Sequence, residues 1–506
     1  MAKGFKQVFQ TSNPTRWQRF KWTFRLLLFL LVITVIAIII AIQTAYVPTV
    51  PILQSSVFKQ ILVSDENPDS LAKEYQGFRK FIDDKWSAGN GCGQNDSAIR
   101  LSNSKLFSDS LGIRSAFYVD WDPQAFFSLR RNINKLNLII PEWMFFDPKG
   151  DSLIIRKDKR GYDLIKQTKG LRVMPMLTNN INGKWDGAVL SRILNNRSKS
   201  EKLINDLYKW IKSEGFAGIN IDFEELVEND NSILTKFLKK LSDRFHAGGL
   251  LTSVDVMPFN EDYDYAALAA HTDYIFLMAY DQYTSSTKPG PISGQKWIEA
   301  AVDQIVQKVP IPKLVLCIAG FGYDWPKGGE GSDVTYQQAL SIAKENNSKI
   351  IYDNDSYNLY FTYKDKLGHE REVHFTDAAT NFNSIRFSTE YGFAGTALWR
   401  MGSEDSRLWE FYHLPMNKAS VQKFNFEEFT KVETSNDVDF MGEGEILDVI
   451  STPTPGHIRT ELDNEWMLIS EEFYDTLPSM FVVKQFGKST EKKMVLTFDD
   501  GPHPVY

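Results

Sequence analysis

Between residues 215 and 224 the chain reads Gly215-Phe216-Ala217-Gly218-Ile219-Asn220-Ile221-Asp222-Phe223-Glu224. From Ile219 onward, large apolar and polar side chains alternate. Alternate side chains of a strand share a face, so Ile219, Ile221 and Phe223 claim one side and Asn220, Asp222 and Glu224 the other. A polar row inside a fold costs free energy unless its members are paired. Side chains i and i+2 sit roughly 6.5–7 Å apart at Cα, so Asp222 and Glu224 can meet the same small group. A buried ion-pair network or a helix cap is the purely structural alternative.

The surroundings of that segment fix its setting. Short apolar runs at 116–120, 136–141, 171–177, 218–223, 250–256, 274–279, 314–319 and 395–399 predict eight strands. Most are followed by helical periodicity, as at 202–213, 232–245 and 295–308. Short buried strands alternating with helices argue for a parallel sheet. Eight such units predict an α/β fold, a closed (β/α)8 TIM barrel over 113–415, whose strand carboxyl ends carry catalytic groups. The long stretch between the seventh and eighth strands, about 331–376, holds a helix at 335–345 and β-rich runs at 358–363 and 372–375. It predicts an α+β insertion walling a cleft. Residues 416–492 predict a small β-rich connector.

The ends of the chain differ from its body. Residues 1–25 carry six basic side chains and no acidic one; the rest holds 51 basic against 64 acidic. An acidic body is a poor match for a nucleic-acid backbone. Residues 26–47 contain no charge, and a spanning helix needs about 20 apolar residues. The expectation is a single-pass signal-anchor with a cytoplasmic basic leader, a stalk over 48–112, and an extracytoplasmic body. A cleaved signal peptide is the alternative. The two cysteines, Cys92 and Cys317, are too few for a disulfide framework. Cys317, in an apolar run, reads as a small buried hydrophobe.

The segment ending Asp222-Phe223-Glu224 resembles the fourth strand of glycoside hydrolase family 18, the chitinase-like hydrolases, whose motif reads Asp-x-x-Asp-x-Asp-x-Glu. The final Asp and Glu fall on Asp222 and Glu224; Ala217 and Asn220 stand where the earlier two Asp would be. The Asn variant is similar to the branch containing spore-cortex lytic hydrolases. Met278-Ala279-Tyr280-Asp281 in the sixth strand, residues 313–325 ending Gly322-Tyr323-Asp324-Trp325 in the seventh, and Ala397-Leu398-Trp399 in the eighth extend the resemblance.

The resemblance implies Glu224 as general acid. The substrate's own 2-acetamido oxygen replaces a second carboxylate nucleophile, an exception to the two-carboxylate scheme. It also implies that Asp222 holds the acetamido N–H, that Tyr280 donates to the acetamido oxygen, and that Trp399 floors the site. Asn220, Met278 and Asp281 line it, with Asp281 contacting a sugar hydroxyl or supporting Asp222. Core packing is the alternative for Tyr280 and Trp399, and a structural role for Asp281. Trp143, Phe145 and Phe146 stack on sugar or pack in the core. With Asn220 in place of Asp, one charge beside Asp222 is gone, so a less strongly coupled titration is expected than in family members with the full acidic row.

Residues 493–506 form an apolar strand running into Thr497-Phe498-Asp499-Asp500-Gly501-Pro502. This resembles the opening of NodB-type polysaccharide deacetylases (carbohydrate esterase family 4). There Asp499 would be the base and Asp500 a ligand of a zinc-like divalent metal. No His-x-x-x-His pair accompanies it, and a zinc site needs about three protein ligands, so deacetylation is not expected of this chain. The order resembles large bacterial envelope proteins that carry a glycosyltransferase further on. The expected function is a membrane-anchored hydrolase of β-linked N-acetylglucosamine polysaccharide, retaining in outcome and needing no cofactor in the barrel. A non-catalytic carbohydrate-binding barrel, or a scaffold serving the deacetylase, is the alternative.

Overall fold

The computed structural model describes residues 112–147, 152–181, 183–227, 231–434, 438–442, 444–463 and 467–488. The predicted anchor at 26–47, nearly all of the stalk, Cys92, and the terminal segment with Asp499 and Asp500 lie outside the described residues. No helix among the described residues is long and apolar enough to cross a membrane.

Eight parallel strands close into a barrel: β1 (Ile113–Tyr118), β2 (Leu138–Phe146), β3 (Met176–Thr178), β4 (Gly218–Asp222), β5 (Leu251–Val256), β6 (Tyr274–Met278), β7 (Leu314–Ala319) and β8 (Gly395–Trp399). β8 pairs with both β7 and β1, and β1 with β2, so no edge is left open. The predicted strands match within a few residues. The run at 171–177 breaks at Pro175 into Arg172–Val173 and β3, because proline lacks the N–H a ladder needs.

Two apolar clusters follow from strand alternation. Phe117, Ile140, Met176, Phe276, Val315, Cys317 and Ala397 fill the interior. Ile219, Ile221, Phe223, Val254 and Leu316 face the helices. The helix Arg197–Glu214 feeds β4 and ends on Gly215 at φ 68°, a left-handed cap that glycine adopts without strain. At the start of β4 the backbones crowd: a Cβ on Gly218 would lie 2.1 Å from the Leu251 carbonyl oxygen.

The insertion starts earlier than predicted. Residues 313–325 are not one strand: β7 ends at Ala319, and after Gly320 the chain enters Phe321–Pro326, first strand of a five-stranded antiparallel sheet. Ser332–Thr335, Glu370–Phe375, Asn358–Lys364 and Ile351–Asp353 complete it. The helix Tyr336–Glu345 opens with a capping box between Thr335 and Gln338.

Part of the connector packs onto the barrel. The strands Gly456–Asp463 and Leu468–Thr476 form a hairpin whose Ile469 exchanges hydrogen bonds with Asn383 in the helix Ala378–Tyr391. Arg407, 3% exposed, sits at this junction. Its Nη1 donates to Glu472 and to the Phe429 carbonyl, both at 2.9 Å; its Nη2 donates to Asp377 at 2.9 Å and Asp405 at 2.6 Å. A second sheet joins Val438–Gly442, Phe481–Phe486 and Ile446–Ser451.

Candidate active site

A cavity of about 1060 Å³ opens at the carboxyl ends of the strands, lined among others by Trp121, Glu142, Phe145, Asp222, Asp281 and Trp399. Asp222 ends β4, inward and 4% exposed. The Thr178 hydroxyl on β3, opposite it in register, donates to it. Asp222 Oδ1 is buried with no hydrogen-bond partner among the described residues. Burial, then Glu224, Asp255 and Glu142, hold its carboxyl well above the usual range. Desolvation and like charge both disfavour the ionised form.

Glu224 lies two residues past the strand and is half-buried. Asn179, just beyond β3 and fully buried, clamps its backbone from both sides. Glu224 N–H donates to Asn179 Oδ1 at 2.9 Å, and Asn179 Nδ2 donates to the Glu224 carbonyl at 2.8 Å. The Tyr263 hydroxyl donates to the Phe223 carbonyl at 2.9 Å. The acidic loop is therefore held by neighbouring elements of the barrel.

Asn220 is fully buried below Asp222. Its Nδ2 donates to Asp255 Oδ1 at 2.7 Å and Ser253 Oγ at 3.0 Å, both on β5. Asp255 returns a carboxylate to the cluster, and burial and Glu224 push it well above the usual range.

Tyr280 is 7% exposed, and burial raises its hydroxyl far above ordinary tyrosine, so it stays a proton donor. Its ring meets Phe321 edge-on at 5.8 Å. Asp281 lines the cavity and accepts from the Tyr323 hydroxyl at 2.8 Å. Trp399 is half-buried, its ring 5.2 Å from Phe117. Met278 is buried in the interior cluster.

One predicted site residue lies elsewhere. Trp143 is fully buried among the residues facing the helices, 6.0 Å from Phe216 and 5.8 Å from Tyr162. The inward partner on β2 is Glu142, 8% exposed, whose carboxyl accepts from Trp121 Nε1 at 2.7 Å. Burial pushes Glu142 up to about 7. Phe145 and Phe146 do line the cavity. Thr178, Asn179, Asp255, Glu142 and Trp121 are not among the predicted site residues. A polar pair at the end of β3 and a lone Asp in β5 were the available signals. No group of three or more His, Cys, Asp or Glu among the described residues is placed to hold a metal ion.

A closed parallel barrel with buried carboxyls at the carboxyl end of β4 is a framework that glycosidases share with other enzymes. The chain belongs to glycosyl hydrolase family 18: the model described as Glycosyl hydrolases family 18 matches residues 110–405. It is 27% identical over 259 residues to the cortical fragment-lytic enzyme of Bacillus subtilis (strain 168), a match covering 48% of this chain and 60% of that enzyme. The chain thus spans about three-fifths of that curated relative's length. The chitinase from Chromobacterium violaceum ATCC 12472 has a TM-score of 0.55 at 25% identity, covering 59% of this chain and 96% of that one. The spore cortex-lytic enzyme SleL of Bacillus megaterium QM B1551 has a TM-score of 0.54 at 25% identity, covering 60% and 73%.

Proposed function

We propose that this chain hydrolyses β-linked N-acetylglucosamine-containing polysaccharide with retention of configuration, the substrate's acetamido group acting as internal nucleophile. The observation that carries this is Asp222. Asp222 lines the cavity, its Oδ1 is buried without a partner among the described residues, and such an orphan costs about 1–3 kcal/mol. An acetamido N–H above Asp222 would satisfy that oxygen and turn the acetamido oxygen toward the anomeric carbon. Tyr280, kept protonated, donates to the acetamido oxygen. Glu224 delivers its proton to the glycosidic oxygen, its loop pinned by Asn179. Trp399 supplies the apolar floor, and the neighbouring carboxyls favour the protonated form of the acid.

The uncharged stretch at 26–47 behind a basic leader supports placing the barrel outside a membrane, next to envelope polysaccharide. The terminal Asp499-Asp500 motif supports a link to polysaccharide deacetylation. Product analysis against peptidoglycan, chitin oligomers and poly-N-acetylglucosamine tests the reading. Glu224→Gln is expected to bind oligomer and to lose turnover by at least about 10³-fold, the loss of one essential proton transfer with its pre-organised geometry. Turnover within tenfold of wild type would refute the acid assignment.

A further inference from the structure

The motif of β4 lacks a carboxylate at 220, yet the site below Asp222 is not short of one. Asp255 comes from the adjacent strand β5, is 1% exposed, and meets the Asn220 amide at 2.7 Å. β4 and β5 pair in register with Asn220 opposite Ser253, so Asp255 stands one inward position nearer the cavity than that pair. Asn220 Nδ2 is spent on Asp255 and Ser253, while Asn220 Oδ1 is buried without a partner among the described residues. The amide is thus oriented by Asp255, and its acceptor oxygen stays unsatisfied inside the barrel.

We propose that Asp255 is a positioning residue for the hydrolytic site, supplying from β5, held by Asn220, the buried carboxyl that β4 lacks at position 220 and sharing protons with the Asp222–Glu224 pair. This rests on the hydrolase reading above. The titratable groups electrostatically linked to this cluster include Asp222 and Glu224 from the β4 end, Glu142 from β2, Tyr263 beyond β5, Tyr280 and Asp281 from the β6 end, Cys317 from β7 and Tyr323 from the insertion. None is a cation. A cluster of carboxyls without a counter-charge holds protons in common, and removing one member lowers the proton affinity of the rest.

The test is a charge relocation in the full chain. Asp255→Asn keeps the shape and an acceptor oxygen for Asn220 but removes the titrating carboxyl. The limb of the kcat/KM–pH profile on which Glu224 loses its proton should move down by about one pH unit. Asn220→Asp combined with Asp255→Asn moves the carboxylate across the same hydrogen bond and should return the limb to within half that shift. A residue that only braced the fold would lower melting temperature or kcat in both variants and leave the limb in place, and that result overturns the proposal. A double variant that stays at the Asp255→Asn position overturns it as well.

A second arm needs no turnover. In Glu224→Gln, the affinity for an N-acetylglucosamine tetramer is followed across the same pH range with and without Asp255→Asn. The titration of binding through Asp222 should fall by a similar interval; an unmoved titration counts against Asp255. If the wild-type chain cleaves no oligomer, the hydrolase reading fails, and this binding arm still decides what Asp255 does.

Discussion

Replacing Arg407 by methionine tests how the connector is joined to the barrel. Among the described residues the guanidinium is the cation paired with Asp377, Asp405 and Glu472, all buried, and it also holds the Phe429 carbonyl. Arg407→Met keeps an apolar stem of similar reach and leaves three acids facing one another. Breaking a buried pair by removing one partner costs about 3–5 kcal/mol. At roughly 2–4 °C per kcal/mol for a domain approaching this size, the melting temperature should drop by about 6–20 °C. The sign with pH follows from Glu472. Burial and Asp377 raise it well above the usual range even with arginine present, so the folded state holds a proton the unfolded chain releases near pH 4.3. Its contribution is fully present below that value and is lost as pH rises toward the folded pKa. Without the guanidinium, Glu472 loses the charge that lowers it and rises further, so the variant should lose more stability between pH 5.5 and 8 than wild type does. Calorimetric melting at both values reads the difference, and limited proteolysis at the hairpin reads its release. A drop under about 2 °C, or one identical at both pH values, would refute the reasoning.

Two further outcomes follow from the site. Asn179→Ala frees both backbone groups of Glu224, so kcat should fall about 10–100-fold with KM changed less than threefold, as for misplacement of a catalytic group; steady-state kinetics on a chitin oligomer decides it. Trp143→Ala should cost about 3–5 kcal/mol of stability, the usual loss for a buried tryptophan, while oligomer affinity of the Glu224→Gln background changes less than twofold; denaturant melts and calorimetry separate the two effects.

How much could be read from the sequence depended on whether one face of each strand was polar. In β4 the alternation of Ile219, Ile221 and Phe223 with Asn220, Asp222 and Glu224 leaves a single solution, and the structure follows it. β2 is apolar on both faces, so Leu-Ile-Ile-Pro-Glu-Trp carries no visible parity. The sequence therefore leaves Trp143 open between cavity and core; it packs in the core, and Glu142 occupies the inward place. β5 is ambiguous for the opposite reason. Thr252 on the outer face bonds Ser242 and Asp273, while Ser253 and Asp255 face inward, so polar residues on both sides hide the important one. Asn179 was invisible because its partners are the peptide groups of Glu224, 45 positions away. The early start of the insertion was missed because apolar character runs from β7 into Phe321–Pro326 with only Gly320 between.

That single-residue junction has an evolutionary consequence. Phe321 touches Tyr280, and Tyr323 holds Asp281, from a strand that leaves β7 after one glycine. The wall is thereby tied to the sixth-strand residues to which the proposed chemistry gives roles. A graft exchanging this excursion for that of another barrel would import new aromatic and hydroxyl contacts to the sixth strand along with a new groove. Substrate preference and turnover in such hybrids should change as linked traits, and a lineage adapting to a different glycan would have to retune both together.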